Sequence, residues 1–183
     1  MKVITLDAGH GGTDPGAVYG SRLEKDDNLR LALQVRDDLA ARCVNVIMTR
    51  DTDVFVSLED RVRIAGENCA GLFVSLHRNS YHRHTPNTNG VSNYIYLTAP
   101  EGTRQAAELV LERVAGVGVR SNWGVLRGDY YVLRNSDMPA MLLEMGFIID
   151  PIDNFLFDIF FCEYAAAIAH GIIQSIGMAK PPA

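Results

Sequence analysis

The sequence predicts one α/β domain: a mostly parallel, twisted sheet of about six strands with helices on both faces. Short runs of β-branched and apolar residues alternate with longer stretches of helical periodicity, the pattern of strands joined by crossover helices. The length of 183 residues is enough for one hydrophobic core without disulfide staples. No internal repeat or low-complexity block divides the chain before its last residues, MAKPPA.

The elements follow in order. KVITLD reads as a short buried strand leading into a Gly-rich loop. From Asp26 to Cys43, apolar Leu29, Ala32, Leu33, Leu39 and Ala40 recur at helical spacing. VNVIMTR (44–50) is a second strand, and Ser57 with Asp60 makes a capping pattern ahead of a second helix. GLFVSLH (71–77) is a third strand, ending on a histidine. VSNYIYLT, YYVLRN and PAMLLEMGFI read as further strands, with helices over 101–114 and 154–176.

Composition narrows the function. A net charge of −5 without a basic stripe argues against nucleic acid as a partner, since that affinity rests on Lys and Arg. The apolar clusters near the C-terminus are interrupted by Asp158, Glu163 and His170, so no membrane span is expected. Cys43, Cys69 and Cys162 are odd in number and widely spaced, which suits free, buried thiols. The N-terminus lacks a signal-peptide pattern. A protein made in the cytoplasm and released by lysis is the expectation.

LDAGHGGTDPGAVYG (6–20) sets His10 among glycines just past the first strand. A dinucleotide fingerprint fails because Asp14 follows where the third glycine belongs, and no phosphate-loop or G-x-S-x-G pattern occurs. A metal site needs neutral imidazoles and a carboxylate, with one position left open. His10 and His77 both lie past strand carboxyl ends, where open α/β sheets bind ligands. Glu24, in the segment before the first helix, can fold back towards them. His82 and His84 fit a solvated loop or substrate lip, and His170 a packing or surface position. Glu144 is a lone carboxylate inside the apolar run PAMLLEMGFII, costly to bury without a reason. Either it pairs with an arginine such as Arg50, Arg61 or Arg134, or it is a general base whose pKa burial raises.

These residues carry a resemblance. H-G-G-x-D-P-G-A, the following E-K, T-R-x-x-D, S-L-H and L-x-E-x-G-F occur in order across nearly the whole chain. In this the sequence resembles the zinc-dependent N-acetylmuramoyl-L-alanine amidases of autolysins, sporulation lysins and phage endolysins. The resemblance implies Zn2+ held by His10, Glu24 and His77, and Glu144 as catalytic general base and acid. It implies cleavage of the amide between the muramic-acid lactyl group and L-alanine of the peptidoglycan stem peptide. Asn79 is a candidate donor to substrate or oxyanion. Arg78 stands where the family carries a small residue, and Ile149-Asp150 where it often has Ser-Asn. These two departures are expected to alter substrate contacts, with Arg78 at the substrate, and to leave the ligand positions untouched.

Residues 98–127 are too short to hold a blocking regulatory helix, so an open cleft is expected. The catalytic domain is expected over 1–177, with 178–183 starting a linker to a C-terminal wall-binding module that would supply the grip an acidic domain lacks. Two other functions fit less of the pattern: a zinc endopeptidase acting within the stem peptide, and an inactive wall-binding domain.

Overall fold

The structure is a computed structural model describing residues 3–81, 85 and 88–178. His82, His84 and the linker residues 179–183 lie outside the described residues. Strand β1 (Val3–Ala8) leads through a small hairpin, β2 (Val18–Tyr19) and β3 (Arg22–Leu23), into α1 (Glu24–Ala40). Then come β4 (Asn45–Met48), α2 (Leu58–Glu67), β5 (Ala70–Asn79), β6 (Val91–Ile95) and α3 (Glu101–Gly118). The chain finishes with β7 (Asn122–Arg127), α4 (Tyr131–Arg134), β8 (Ala140–Phe147), α5 (Pro151–Ile159) and α6 (Phe161–Met178).

The main sheet has six strands in the order β4-β1-β5-β8-β6-β7. β4, β1, β5 and β8 run parallel to one another, β6 runs antiparallel to β8, and β7 is parallel to β6. The expected α/β architecture is therefore present, with the parallel strands at its centre.

Alternation along each strand divides the core in two. Ile4, Leu6, Val74, Leu76, Met141 and Leu143 pack into a large cluster with residues of α1, α3 and α6. Phe73, Ala140 and Leu142 point the other way, into a smaller cluster with Ala65 of α2 and Val132 and Leu133 of α4. This thinner side also carries Asp7, Ser75, His77 and Glu144, because they share strand parity with Phe73 and Leu142. The polar chemistry thus faces the lightly covered side of the sheet.

Caps fix the helix starts. Ser57 Oγ accepts from the Asp60 amide at 3.0 Å, as its spacing predicts. Asp150 accepts from the amides of Ile152 and Asp153 at 2.9 and 2.8 Å, with Pro151 in the first turn of α5. Asp150, a departure from the family pattern, is thus a helix cap. Glu24, Asp26 and Asp27 place negative charge at the N-terminus of α1, where the helix dipole favours it.

Three expectations are corrected. YYVLRN holds the short helix α4 in place of a strand: Val132 and Leu133 bury together, while Asn135 and Ser136 side chains donate to the Tyr131 and Val132 carbonyls. The edge position belongs instead to β7. The last helix is two, bent by 76° at Phe160, a break hidden by apolar residues on both sides. No single helix among the described residues is long and apolar enough to cross a membrane. The cysteines are free but exposed, and Cys43 and Cys69 take positive φ just past the ends of α1 and α2.

Candidate metal centre

β1 delivers the chain to the carboxyl edge of the sheet, where two arginines take hold of its backbone. Arg50 donates to the carbonyls of Ala8 and Gly9 at 2.8 and 3.0 Å. Arg61 donates to those of Ala8 and His10 at 2.8 and 2.7 Å. So held, His10 adopts a left-handed φ of 62°, unusual for a residue with a Cβ. On the far side the β2–β3 hairpin turns the chain back and starts α1 at Glu24. That return is fixed reciprocally: the Glu24 amide donates to the Ala17 carbonyl, and the Ala17 amide to Glu24 Oε2, both at 2.9 Å.

Glu24 now lies between two imidazoles. His10 Nε2 is 3.2 Å from Glu24 Oε2, and His77 Nδ1 donates to Glu24 Oε1 at 2.9 Å. The rings stand edge to face, 5.0 Å apart. One donor atom from each of His10, Glu24 and His77 falls within 4.8 Å of the other two, the only such group of three or more among the described residues.

Two glycines make this closeness possible. A Cβ on Gly9 would lie 2.3 Å from the His77 ring, and one on Gly16 would lie 2.6 Å from His10 Cδ2 and 2.7 Å from Glu24 Oε2. Gly16 also has a φ of 64°, which glycine adopts without strain.

The three donors raise or lower one another's pKa values. Burial works against charge on His10, but its contacts with Glu24 and Asp14 prevail and raise its pKa to about 9. His77 is raised for the same reason, burial being outweighed by Glu24. Glu24 itself is driven far below the carboxylate range, since its bonds to both imidazoles overcome its desolvation. A carboxylate between two basic imidazoles is a donor set that a divalent cation satisfies by displacing the protons, and two histidines with a carboxylate are ligands zinc accepts.

Glu144 is aligned with His77 on the neighbouring strand. It is 8% exposed, and its Oε2 has no hydrogen-bond partner among the described residues. Burial pushes its pKa up to about 7 against the opposing pull of His77. The arginines that could have paired with it are engaged elsewhere: Arg61 with Asp7, Arg50 with backbone carbonyls, Arg134 with Asp129. An unpartnered carboxyl oxygen beside the donor group is what a proton-relaying acid leaves free for water or substrate.

Arg78 is a correction. Expected at the substrate, its side chain is fully buried on the opposite side of β5 and paired with Asp27. The main-chain amide of residue 78, which any residue but proline would supply, donates to Glu24 Oε1 at 3.1 Å. Asn79 is half-buried at the end of β5, its carbonyl accepting from the Ile148 amide. His170 is exposed on α6 and accepts from Arg42, away from this group.

Sequence reasoning missed Asp14. Its Oδ2 accepts from His10 Nδ1 at 2.8 Å, turning Nε2 towards Glu24, while Oδ1 accepts from the Gly16 amide at 3.0 Å. The tight Gly11–Asp14 bridge brings it back beside the histidine four residues earlier. A cavity of about 420 Å3 opens beside the donors, walled by Phe55, Leu58, Tyr130, Tyr131 and Val132.

Known proteins resemble this chain in sequence and fold. Residues 4–176 match the family model described as N-acetylmuramoyl-L-alanine amidase. The chain is 37% identical to the uncharacterized protein YqiI of Bacillus subtilis, covering 83% of this chain and 73% of that one. It is also 37% identical to the endolysin of Bacillus phage SPP1, covering 98% and 68%. Among solved structures, the amidase AmiC2 of Nostoc punctiforme superposes with a TM-score of 0.88 at 35% identity, over 96% of this chain and 97% of that one. A match over nearly the whole chain, on a fold that brings the motif residues to one sheet edge, means that the protein belongs to the N-acetylmuramoyl-L-alanine amidase family.

Proposed function

We propose that this domain is a zinc-dependent peptidoglycan amidase that hydrolyses the bond between the muramic-acid lactyl group and L-alanine. The observation that carries the reading is the convergence of His10, Glu24 and His77 beside a buried carboxyl with one unpartnered oxygen. His10, Glu24 and His77 would hold the zinc, with Asp14 orienting His10. The chemistry zinc supplies when bound is Lewis acidity, towards the scissile carbonyl and towards water.

The chain's own residues do the rest. Glu144, uncharged up to about pH 7 before any metal binds, takes a proton from the attacking water once ionised. It then returns that proton to the departing alanine nitrogen, which leaves poorly as an anion. Asn79, two residues beyond His77, donates to the substrate or to the tetrahedral oxyanion.

Longer relatives support a further part of the proposal, a wall-binding module joined to this domain in the full-length protein. The chain covers 30% of the amidase LytC of Bacillus subtilis and 29% of the solved Cwp6 chain of Clostridium difficile.

The test is to identify new amino termini in purified peptidoglycan treated with zinc-loaded protein, beside a chelated control. N-terminal L-alanine appearing only with zinc supports the amidase. A different new terminus moves the function to an endopeptidase, and none from several wall chemistries moves it to a binding domain.

A further inference from the structure

Arg78 ranks first in size among the fully buried side chains of the described residues, and each of its three guanidinium nitrogens makes a hydrogen bond. Nη1 donates to Asp27 Oδ2 at 2.6 Å, Nη2 to Asn154 Oδ1 at 2.7 Å, and Nε to the Gly146 carbonyl at 3.4 Å. The Phe157 ring lies 4.2 Å from its Cζ, a stacking position that suits a desolvated guanidinium.

The partners stand close in sequence to the residues of the metal centre. Asp27 is one helical turn beyond Glu24 on α1, Gly146 is two residues beyond Glu144 on β8, and Arg78 itself follows His77 on β5. Its main-chain amide reaches Glu24 directly. We infer that Arg78 is a positioning residue for the zinc ligands: one buried guanidinium sets α1, β5 and the end of β8 at the spacing that brings Glu24, His77 and Glu144 together.

The arrangement separates this role from support of the fold. Asp27 has a second cation, Arg22, at 2.6 Å, and Arg22 in turn grips Asp158 through two bonds of 2.8 and 3.0 Å. The carboxylate left behind by a change at Arg78 therefore keeps a charged partner. Asn154 keeps its bond to the Ile148 carbonyl at 2.7 Å. His10, held by Asp14 and Arg61, lies outside this set of contacts. Loss of the guanidinium should loosen Glu24 and His77 while leaving His10 in place.

The inference rests on the zinc reading above, and the experiment keeps the two apart. Wild type, Arg78→Met, Arg78→Lys and Asn154→Ala are stripped of metal and their melting temperatures recorded. Each is then titrated with zinc against a chromophoric chelator, and with cobalt(II) while following its visible absorption. Arg78→Met, which fills much of the space without donors, should bind zinc about 10–100-fold more weakly, the effect typical of losing an outer partner of a metal ligand. Arg78→Lys should fall between, because one ammonium cannot span Asp27 and Asn154 as a planar fork does. The cobalt bands should change in both, reporting altered ligand geometry.

Zinc affinity and cobalt spectrum equal to wild type in folded variants would overturn the positioning role, whatever the melting temperature does. If Arg78→Met does not fold, Arg78→Lys and Asn154→Ala decide by the same criterion. A wild type that takes up neither metal would overturn the zinc reading itself.

Discussion

Asp7 and Glu144 are both buried carboxyl groups, on the same face of the same sheet, and they behave oppositely. Asp7 accepts from Thr49 Oγ1 at 2.7 Å, Ser75 Oγ at 2.6 Å and Arg61 Nη1 at 2.6 Å. Desolvation would raise its pKa, but Arg61 and the two hydroxyls outweigh that and hold it below the ordinary value. Glu144 meets the same desolvation with one oxygen unpartnered, and its pKa rises to about 7. Burial is common to both; partners decide which carboxyl group is held ionised and which has its pKa raised.

Glu144→Gln should have the largest effect. Activity should fall about 10²–10⁴-fold, the usual contribution of a general acid–base group, with zinc stoichiometry and melting temperature unchanged. Release of N-terminal alanine at the wild-type rate would remove Glu144 from the mechanism and break the contrast with Asp7.

Asp7→Asn should do the reverse. It leaves the Arg61 charge buried without its partner, costing about 3–5 kcal/mol in denaturant unfolding at neutral pH. The sign with pH follows from the lowered pKa of Asp7 in the folded state. Its stabilisation is fully present above the unfolded-state value of about 4 and is lost as pH falls through the lower folded value. The gap between wild type and variant should therefore be flat near neutrality and narrow in acid. A gap that widens in acid would contradict the pairing.

Asp14→Ala should have the smallest effect of the three. Its carboxylate is 45% exposed, so the loss of zinc affinity should sit near the low end, about tenfold. A chelator competition showing no change would mean that His10 keeps its orientation without help.

How much of this was legible in the sequence depended on distance along the chain. His10 and His77 could be singled out because each directly follows a readable strand, and Glu144 because a charge inside an apolar run is conspicuous. Glu24 could be placed only as a residue able to fold back, since the hairpin that returns it has strands of two residues each and leaves little pattern. Asp14 entered only as the residue that breaks a dinucleotide fingerprint, and its contact with His10 comes from a loop closure that periodicity does not report.

Arg78 was misjudged for a different reason. A charge at a strand end suggests solvent, and the residues that bury it lie on α1 and α5, 51 and 76 positions away. YYVLRN was misread because β-branched and aromatic residues favour strands locally, whereas here the edge place beside β6 is already filled by β7. The break at Phe160 carries no proline or glycine to mark it.

The order of strands has a consequence for how the protein comes into being. β8 is the last strand in the chain, yet it sits between β5 and β6 near the middle of the sheet. The three metal donors are all present by residue 77, and the carboxyl group that completes them follows only at residue 144. Inserting a central strand after both of its neighbours have been made causes folding to depend on distant contacts, which are slow to form. The alignment of Glu144 beside His77 is therefore completed only when β8 enters between β5 and β6.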